Sequence, residues 1–130
     1  MRDFRHRTRI ITVENHTLLR SGLAALIDGE ADLVLVHNSA NADSARLPLA
    51  ELRPDVVIVD AAIPGALDLV RWLRRGDPDL VIIFLVRYEW DEVSVRAIEA
   101  GASAFLARDR IREDLLKMIR EGRGCGIGDV

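Results

Sequence analysis

Short apolar runs alternate with amphipathic segments along almost the whole chain. A continuous apolar run is typical of a strand buried on both faces, and apolar residues three or four apart are typical of a helix. The pattern predicts strands at 9–14, 33–37, 56–60, 80–86 and 103–107. It predicts a first helix carrying Leu19, Leu23 and Leu26, then helices at 41–52, 67–75 and 90–100, and a last one from Ile111 to Gly122.

This strict alternation predicts a (βα)5 domain with a doubly wound, parallel, five-stranded sheet, helices on both faces and right-handed crossovers. We take the strand order as 2-1-3-4-5. Pro48 lies inside the second helix and predicts a late start, a break or a distortion there. Asp109 is the predicted N-cap of the last helix. The expected organisation is a loose arginine-rich arm at 1–8, one domain at 9–122, and a glycine-rich tail or linker at 123–130.

Composition narrows the class of protein. The chain has 130 residues, is 49% hydrophobic and carries a net charge of −3, which argues for one globular domain and against a strongly basic nucleic-acid binder. Neither a membrane-spanning run nor a signal peptide is recognised, so no membrane partner is expected. The single cysteine, Cys125, cannot form an internal disulfide. A cytoplasmic location is therefore predicted.

The candidate chemistry lies at the carboxyl ends of the first and third strands. The run VVIV at 56–59 ends on Asp60, with a Pro-Gly turn at 64–65. In this strand order the topological switch point brings Asp60 near Glu14 and Asn15. Such oxygen ligands suit Mg²⁺, and a carboxylate beside Mg²⁺ can act as a nucleophile toward phosphorus.

Each of these residues also has a simpler interpretation. Asp60 could cap the following turn, Glu14 could be a solvated acid at a strand end, and Asn15 could begin the first helix. His16 and His37 have no metal-ligand spacing with each other or with the cysteine, and a structural role is predicted for both. A glycine-rich phosphate loop is not found.

Three segments carry a resemblance to a known family: RIITVENHTLLRSGL at 9–23, LRPDVVIVDAAIPG at 52–65 and AIEAGASAFLARD at 97–109. Together they resemble the response-regulator receiver domain. That family has the CheY-like fold, which is one of the flavodoxin-like folds. Their wording is similar to the NarL/FixJ subfamily, whose receivers usually precede a LuxR-type helix-turn-helix domain. The resemblance implies that DNA would be contacted only through such a C-terminal domain, which does not lie within these residues.

The resemblance also assigns site residues, and this chain departs from the family pattern at several of them. The phosphoacceptor position falls on Asp60. The acidic pair that holds Mg²⁺ falls on Glu14 and Asn15, so one carboxylate has become an amide. The usual lysine position falls on Arg108, which could instead pair directly with Asp60 or Glu14. The implied Mg²⁺ site, formed by Glu14, Asn15 and Asp60, is expected to be weak or lost.

Two further positions belong to the family's switch. The threonine or serine position falls on Val86, which has no hydroxyl, and the aromatic position falls on Phe105. A hydrogen bond to a charged group is worth about 1.5–3 kcal/mol, comparable to many two-state switching gaps. Without a hydroxyl at Val86 to form this hydrogen bond, phosphorylation of Asp60 would not pull the switch loop inward as it does in the family.

These departures favour an atypical receiver of a transcriptional regulator, with no enzymatic activity and no cofactor beyond a weak Mg²⁺. It would signal through dimer or partner contacts, with weak or no phosphorylation at Asp60. The alternative is a conventional Mg²⁺-dependent receiver phosphorylated on Asp60 by a histidine kinase. A flavodoxin-like enzyme is disfavoured, since aromatic residues for flavin stacking do not flank the switch point. A homodimer is expected, with Tyr88 and Trp90 as candidate interface anchors.

Overall fold

The computed structural model describes residues 7–88 and 92–124. Strands and helices alternate in the described chain as predicted, with boundaries that differ by a few residues. The strands are β1 (Thr8–Val13), β2 (Leu33–Ser39), β3 (Val56–Asp60), β4 (Val81–Val86) and β5 (Ala104–Ala107). The helices are α1 (Thr17–Asp28), α2 (Ala42–Leu52), α3 (Ala66–Gly76), α4 (Glu92–Ala100) and α5 (Ile111–Gly124).

The five strands form one parallel sheet in the order β2-β1-β3-β4-β5. This confirms the predicted doubly wound order. The pairing of β1 with β2 shifts register between Ile10 and Ile11. Because β1 and β3 are neighbours, their carboxyl ends meet at one edge of the sheet, at the point where the strand order reverses.

The core has two layers, one on each face of the sheet. On one face, Val57 and Val59 of β3 pack with apolar residues of α2, α3 and α4. On the other face, Val56 and Ile58 pack with apolar residues of α1 and α5. Every residue of β3 is buried, which explains why its sequence shows no alternation of apolar and polar positions. None of the helices in the described residues has the length and apolar character that crossing a bilayer requires.

Helix α2 contradicts two of the three effects predicted for Pro48, the late start and the break. The helix neither starts late nor breaks: it is continuous from Ala42 to Leu52 with Pro48 inside it. Asn41 caps the start, because its Oδ1 accepts a hydrogen bond from the Ser44 backbone N–H at 2.8 Å. Helix α2 also packs onto the sheet through a buried face, which includes Leu49. The cap and this packing maintain the helix across the proline.

The ends of the domain also differ from the prediction. Asp109 is not the N-cap of α5; it lies in the middle of a 3-10 turn, Arg108–Arg110, that leads into the helix. Helix α5 continues past Gly122 to Gly124, since a glycine lowers helix propensity without ending a helix. At the other end, Thr8 already belongs to β1, so the predicted arm overlaps the first strand. Cys125 and the rest of the predicted tail lie outside the described residues.

Candidate functional site

Two carboxyl groups lie buried side by side where β1 and β3 end. Asp60 is the last residue of β3, and Glu14 follows directly after β1. Each is only 1% exposed, although charged residues are rarely buried without a partner. The structure therefore brings together two of the three residues that the sequence placed at this edge.

Asp60 has a direct cationic partner in Arg108. One guanidinium nitrogen, Nη2, donates to both carboxylate oxygens of Asp60, at 2.7 Å to Oδ1 and 2.8 Å to Oδ2. The Arg108 side chain reaches the site from the turn before α5 and is 29% exposed. Of the two partners that the sequence left open for Arg108, the hydrogen bonds select Asp60.

Asp60 also fixes its own loop. Its Oδ1 accepts a hydrogen bond from the backbone N–H of Ala62 at 2.8 Å, which closes an Asx-turn. Asp60 therefore caps the turn that follows it, as the simpler interpretation predicted, and it also pairs with Arg108. Farther along the same loop, Gly65 adopts a left-handed conformation with φ of +78° at the start of α3, where the Pro-Gly turn was predicted.

Glu14 is held mainly by backbone. Its Oε1 accepts a hydrogen bond from the His16 backbone N–H at 2.8 Å. Its Oε2 is buried and accepts no hydrogen bond from an N–H or hydroxyl group in the part of the chain that the structure describes, and the Glu14 carboxyl group instead shares a hydrogen bond with that of Asp60. The Nε of Arg108 is also buried, without a hydrogen-bond partner among the described residues. Such atoms are uncommon in folded proteins and often mark functional sites.

Burial and proximity push the pKa values of the two carboxyl groups apart. Burial raises the pKa of Glu14, and the neighbouring Asp60 raises it further, to about 8 from an ordinary value of 4.5. Burial acts to raise the pKa of Asp60 too, but Glu14, the Ala62 amide and Arg108 outweigh it and leave that pKa below its ordinary value of 3.8. These opposite shifts favour a single negative charge on the pair near neutral pH, opposite the positive charge of Arg108.

The remaining predicted site residues lie around this cluster. The side chain of Asn15 is exposed. Val86 ends β4 and is 1% exposed, and half-buried Phe105 packs against the apolar cluster that contains Val86. Tyr88 is 65% exposed in the loop after β4. Trp90, the other predicted interface anchor, lies outside the described residues.

This arrangement does not fit a bound Mg²⁺. Both oxygens of Asp60 already accept hydrogen bonds from Arg108, the raised pKa of Glu14 favours its neutral form, and an amide stands at Asn15. Over residues 7–88 and 92–124, no group of three or more His, Cys, Asp or Glu side chains could hold a metal ion. A Mg²⁺ ion needs accessible, charged oxygen ligands, which the pairing with Arg108 does not leave free.

Two backbone groups that hold the carboxyl groups, the N–H groups of His16 and Ala62, were not predicted from the sequence. Both donors lie two residues after the acid they bind, so the Asx-turn rule could have identified the second. The two histidines considered in the sequence, His16 and His37, have structural contacts. The Nδ1 of His16 accepts a hydrogen bond from the Leu19 backbone N–H at 3.3 Å, capping α1, and the Nε2 of His37 contacts the Ser39 hydroxyl at 2.9 Å.

Comparison with known proteins finds a family that covers most of the chain. The response regulator receiver domain family matches residues 10–120. The nitrate/nitrite response regulator protein NarL of Escherichia coli K12 is 30% identical over 116 residues, which cover 86% of this chain and 53% of NarL. The DNA-binding transcriptional activator DevR/DosR of Mycobacterium tuberculosis is 29% identical over 124 residues, which cover 93% of this chain and 57% of that protein.

Solved structures agree with this match. A two-component response regulator of the LuxR family from Aurantimonas sp. superposes with a TM-score of 0.83 at 26% identity, covering 92% of this chain and 88% of that one. The chain spans about half the length of the curated relatives it matches.

Proposed function

This chain belongs to the response regulator receiver domain family, and from that premise we propose that it is an atypical receiver that signals through dimer or partner contacts. In this proposal Asp60 is phosphorylated weakly or not at all. The observation that carries it is the contact of Arg108 Nη2 with both oxygens of Asp60, at 2.7 and 2.8 Å.

The chemistry of phosphoryl acceptance supports the proposal. To attack phosphorus, a carboxylate oxygen must be free to approach it, and a positioned cation must stabilise the charge that develops. Here both oxygens of Asp60 are engaged, and the Arg108 guanidinium lies directly against them. After phosphorylation, Val86 would offer no hydroxyl to the phosphoryl group. The site thus disfavours the reaction and also lacks the hydrogen bond that would make the product switch the domain.

Exposed apolar residues in the loop after β4 and on α4 support the second half of the proposal, the dimer or partner contacts. Tyr88 is 65% exposed, and Val95 and Ile98 of α4 are 60% and 44% exposed. Large apolar side chains in water favour contact with another protein surface. We propose that this face contributes to a homodimer or a partner interface, with Trp90 as a further candidate anchor.

The larger function is proposed from the relatives. NarL is named a response regulator and DevR/DosR a DNA-binding transcriptional activator. We propose that this chain is the non-enzymatic receiver part of a cytoplasmic transcriptional regulator, in which DNA is bound only by a separate C-terminal domain.

The second candidate is a conventional receiver that a histidine kinase phosphorylates on Asp60. One observation favours it: the pKa of Asp60 lies below its ordinary value, so the carboxylate is ionised at neutral pH, as a nucleophile must be. For this function to operate, Arg108 would have to leave Asp60 during each phosphorylation.

Intact-protein mass spectrometry after incubation with a small acyl phosphate and Mg²⁺ separates the two functions. We expect no phosphoryl-sized mass gain for the wild type or for Asp60→Asn, while a receiver with a complete acidic pair in the same mixture confirms that the donor is active. Sedimentation velocity should give the same oligomeric state before and after treatment. A mass gain in the wild type that Asp60→Asn abolishes would establish the conventional function instead.

A further inference from the structure

Arg108 lies against both carboxylate oxygens of Asp60, the residue that a receiver-type Mg²⁺ site would use as a charged ligand. We infer that the Arg108 guanidinium takes the place of a divalent cation at Asp60, and that this contact is the main barrier to Mg²⁺ in the site. A variant without it should bind Mg²⁺ with Asp60 as the charged ligand and Glu14 as a second oxygen ligand. This inference rests on the proposed function, because both depend on the contact between Arg108 and Asp60, but it concerns metal exclusion rather than phosphorylation.

The contact has the geometry of a single point charge. An arginine that recognises a carboxylate usually uses two nitrogens, each donating to one oxygen. Here Nη2 alone lies 2.7 Å from Oδ1 and 2.8 Å from Oδ2, almost equidistant from the two oxygens. One positive centre therefore balances the carboxylate charge and engages both oxygens, which leaves neither free for a metal ion.

Removing Arg108 would leave a set of oxygens without a cation. Asp60 is 1% exposed and would have no other positively charged partner in the part of the chain that the structure describes. Glu14 already has one buried oxygen, Oε2, that accepts no hydrogen bond from an N–H or hydroxyl group among the described residues. The Arg108 side chain is 29% exposed, so its removal also opens a path for water. Mg²⁺ typically binds one or two carboxylates and keeps several waters, which suits this set.

The test is thermal unfolding of the purified chain in EDTA and with increasing Mg²⁺. We expect the Tm of the wild type to stay unchanged and that of Arg108→Ala to rise, by roughly 5 °C once Mg²⁺ reaches ten times its dissociation constant. The matched control is Arg110→Ala. Arg110 lies in the same 3-10 turn but pairs with Asp114, with Nε 3.1 Å from Oδ2, so its variant should respond like the wild type.

Three outcomes would overturn the inference. A Mg²⁺-dependent rise in the wild type would show that Arg108 does not exclude the ion. If Mg²⁺ does not raise the Tm of Arg108→Ala but does raise that of Arg108→Ala/Asn15→Asp, the amide at Asn15 is what prevents Mg²⁺ binding. The absence of a rise in both variants would mean that the site cannot be opened. Arg108→Gln, which keeps more of the side chain, gives the same readout if Arg108→Ala does not fold.

The two proposals can fail separately. Phosphorylation of the wild type would contradict the proposed function even if Mg²⁺ does not change the Tm of the wild type. Conversely, a wild type that binds Mg²⁺ but gains no phosphoryl mass would contradict only the metal-exclusion inference.

Discussion

At the scale of single residues, the candidate site depends on the contact between Arg108 and Asp60. At a position where the family resemblance implies a lysine, arginine keeps the charge, but a guanidinium is larger, is planar and holds its charge at any working pH. Its reach from the turn before α5 lets one nitrogen lie against both oxygens of Asp60. Because Asp60 is 1% exposed, the pair is an internal feature of the fold and not a surface ion pair of little energetic value.

We expect Arg108→Ala, measured in EDTA, to lower the free energy of unfolding by about 3 kcal/mol, because it leaves the Asp60 charge buried and unpaired. Asp60→Asn should cost about 1 kcal/mol or less, since the Arg108 side chain is 29% exposed and can turn toward water. The double variant Asp60→Asn/Arg108→Ala should recover much of the loss, giving a coupling of about 2 kcal/mol. Urea unfolding followed by circular dichroism measures all four proteins.

The double variant decides the cause of the loss. The asparagine side chain in Asp60→Asn still offers an oxygen to the Ala62 N–H but carries no charge, so only the unpaired charge is removed. If the double variant is as unstable as Arg108→Ala, the loss comes from the packing of the arginine stem, and the buried charge is not responsible.

At the scale of elements, most of the fold could be predicted because the local pattern and the global topology agree. The run that ends at Asp60 is continuously apolar and rich in β-branched residues. A strand with one face in water would alternate apolar and polar residues, so this run indicates burial on both faces. The path of α2 across Pro48 could not be predicted, since packing against the sheet overrides a local preference. The 3-10 turn at Asp109 is a similar case, because tertiary contacts decide such boundaries.

The candidate site was predictable to the same degree. The strand order placed Glu14 and Asp60 at one edge, and the structure has them there. Which acid Arg108 contacts depends on the length and path of the turn before α5, which the sequence pattern does not define. The unequal pKa values of the two carboxyl groups depend on burial and on the backbone donors at His16 and Ala62, and these exist only in the folded chain.

The turn between α4 and β5 depends on a glycine, Gly101. Side-chain contacts from α3 hold this turn in place. Gly101 has a φ of +119°, and a Cβ added there would lie 2.7 Å from Cγ of Arg74. Arg74 of α3 crosses over the turn, and its Nε donates to the Gly101 carbonyl oxygen at 2.8 Å. Its Nη2 donates to the Ser103 hydroxyl at 3.2 Å.

We therefore expect Gly101→Ala to lower the free energy of unfolding by about 2–3 kcal/mol, through the strained φ and the close contact with Arg74. The matched control is Gly22→Ala. Gly22 lies inside α1 with nothing within 4 Å of the added Cβ, so alanine should raise the stability by about 0.5–1 kcal/mol. Equal effects of the two substitutions in urea unfolding would contradict this account of the turn.

At the scale of the whole molecule, the buried cluster makes global stability depend on pH. The pKa of Glu14 is about 8 in the folded protein and near 4.5 when the chain is unfolded. Between these values the folded state holds a proton that the unfolded state does not. Rising pH therefore destabilises the fold by up to about 1.4 kcal/mol per pH unit. This stability is fully present below pH 4.5 and is lost as the pH rises through about 8.

We expect Glu14→Gln to remove this dependence. Glutamine is neutral at every pH, and its oxygen can still accept the hydrogen bond from the His16 N–H. Urea unfolding in EDTA, from about pH 5 to about pH 8, should give a steeply falling free energy for the wild type and a flatter curve for the variant. Asp60 does not affect this comparison. Because its pKa is lowered, it changes the free energy of unfolding only as the pH falls toward and below its ordinary pKa of 3.8. Parallel curves would mean that Glu14 is ionised in the folded protein, and the charge balance proposed for Glu14, Asp60 and Arg108 would then be wrong.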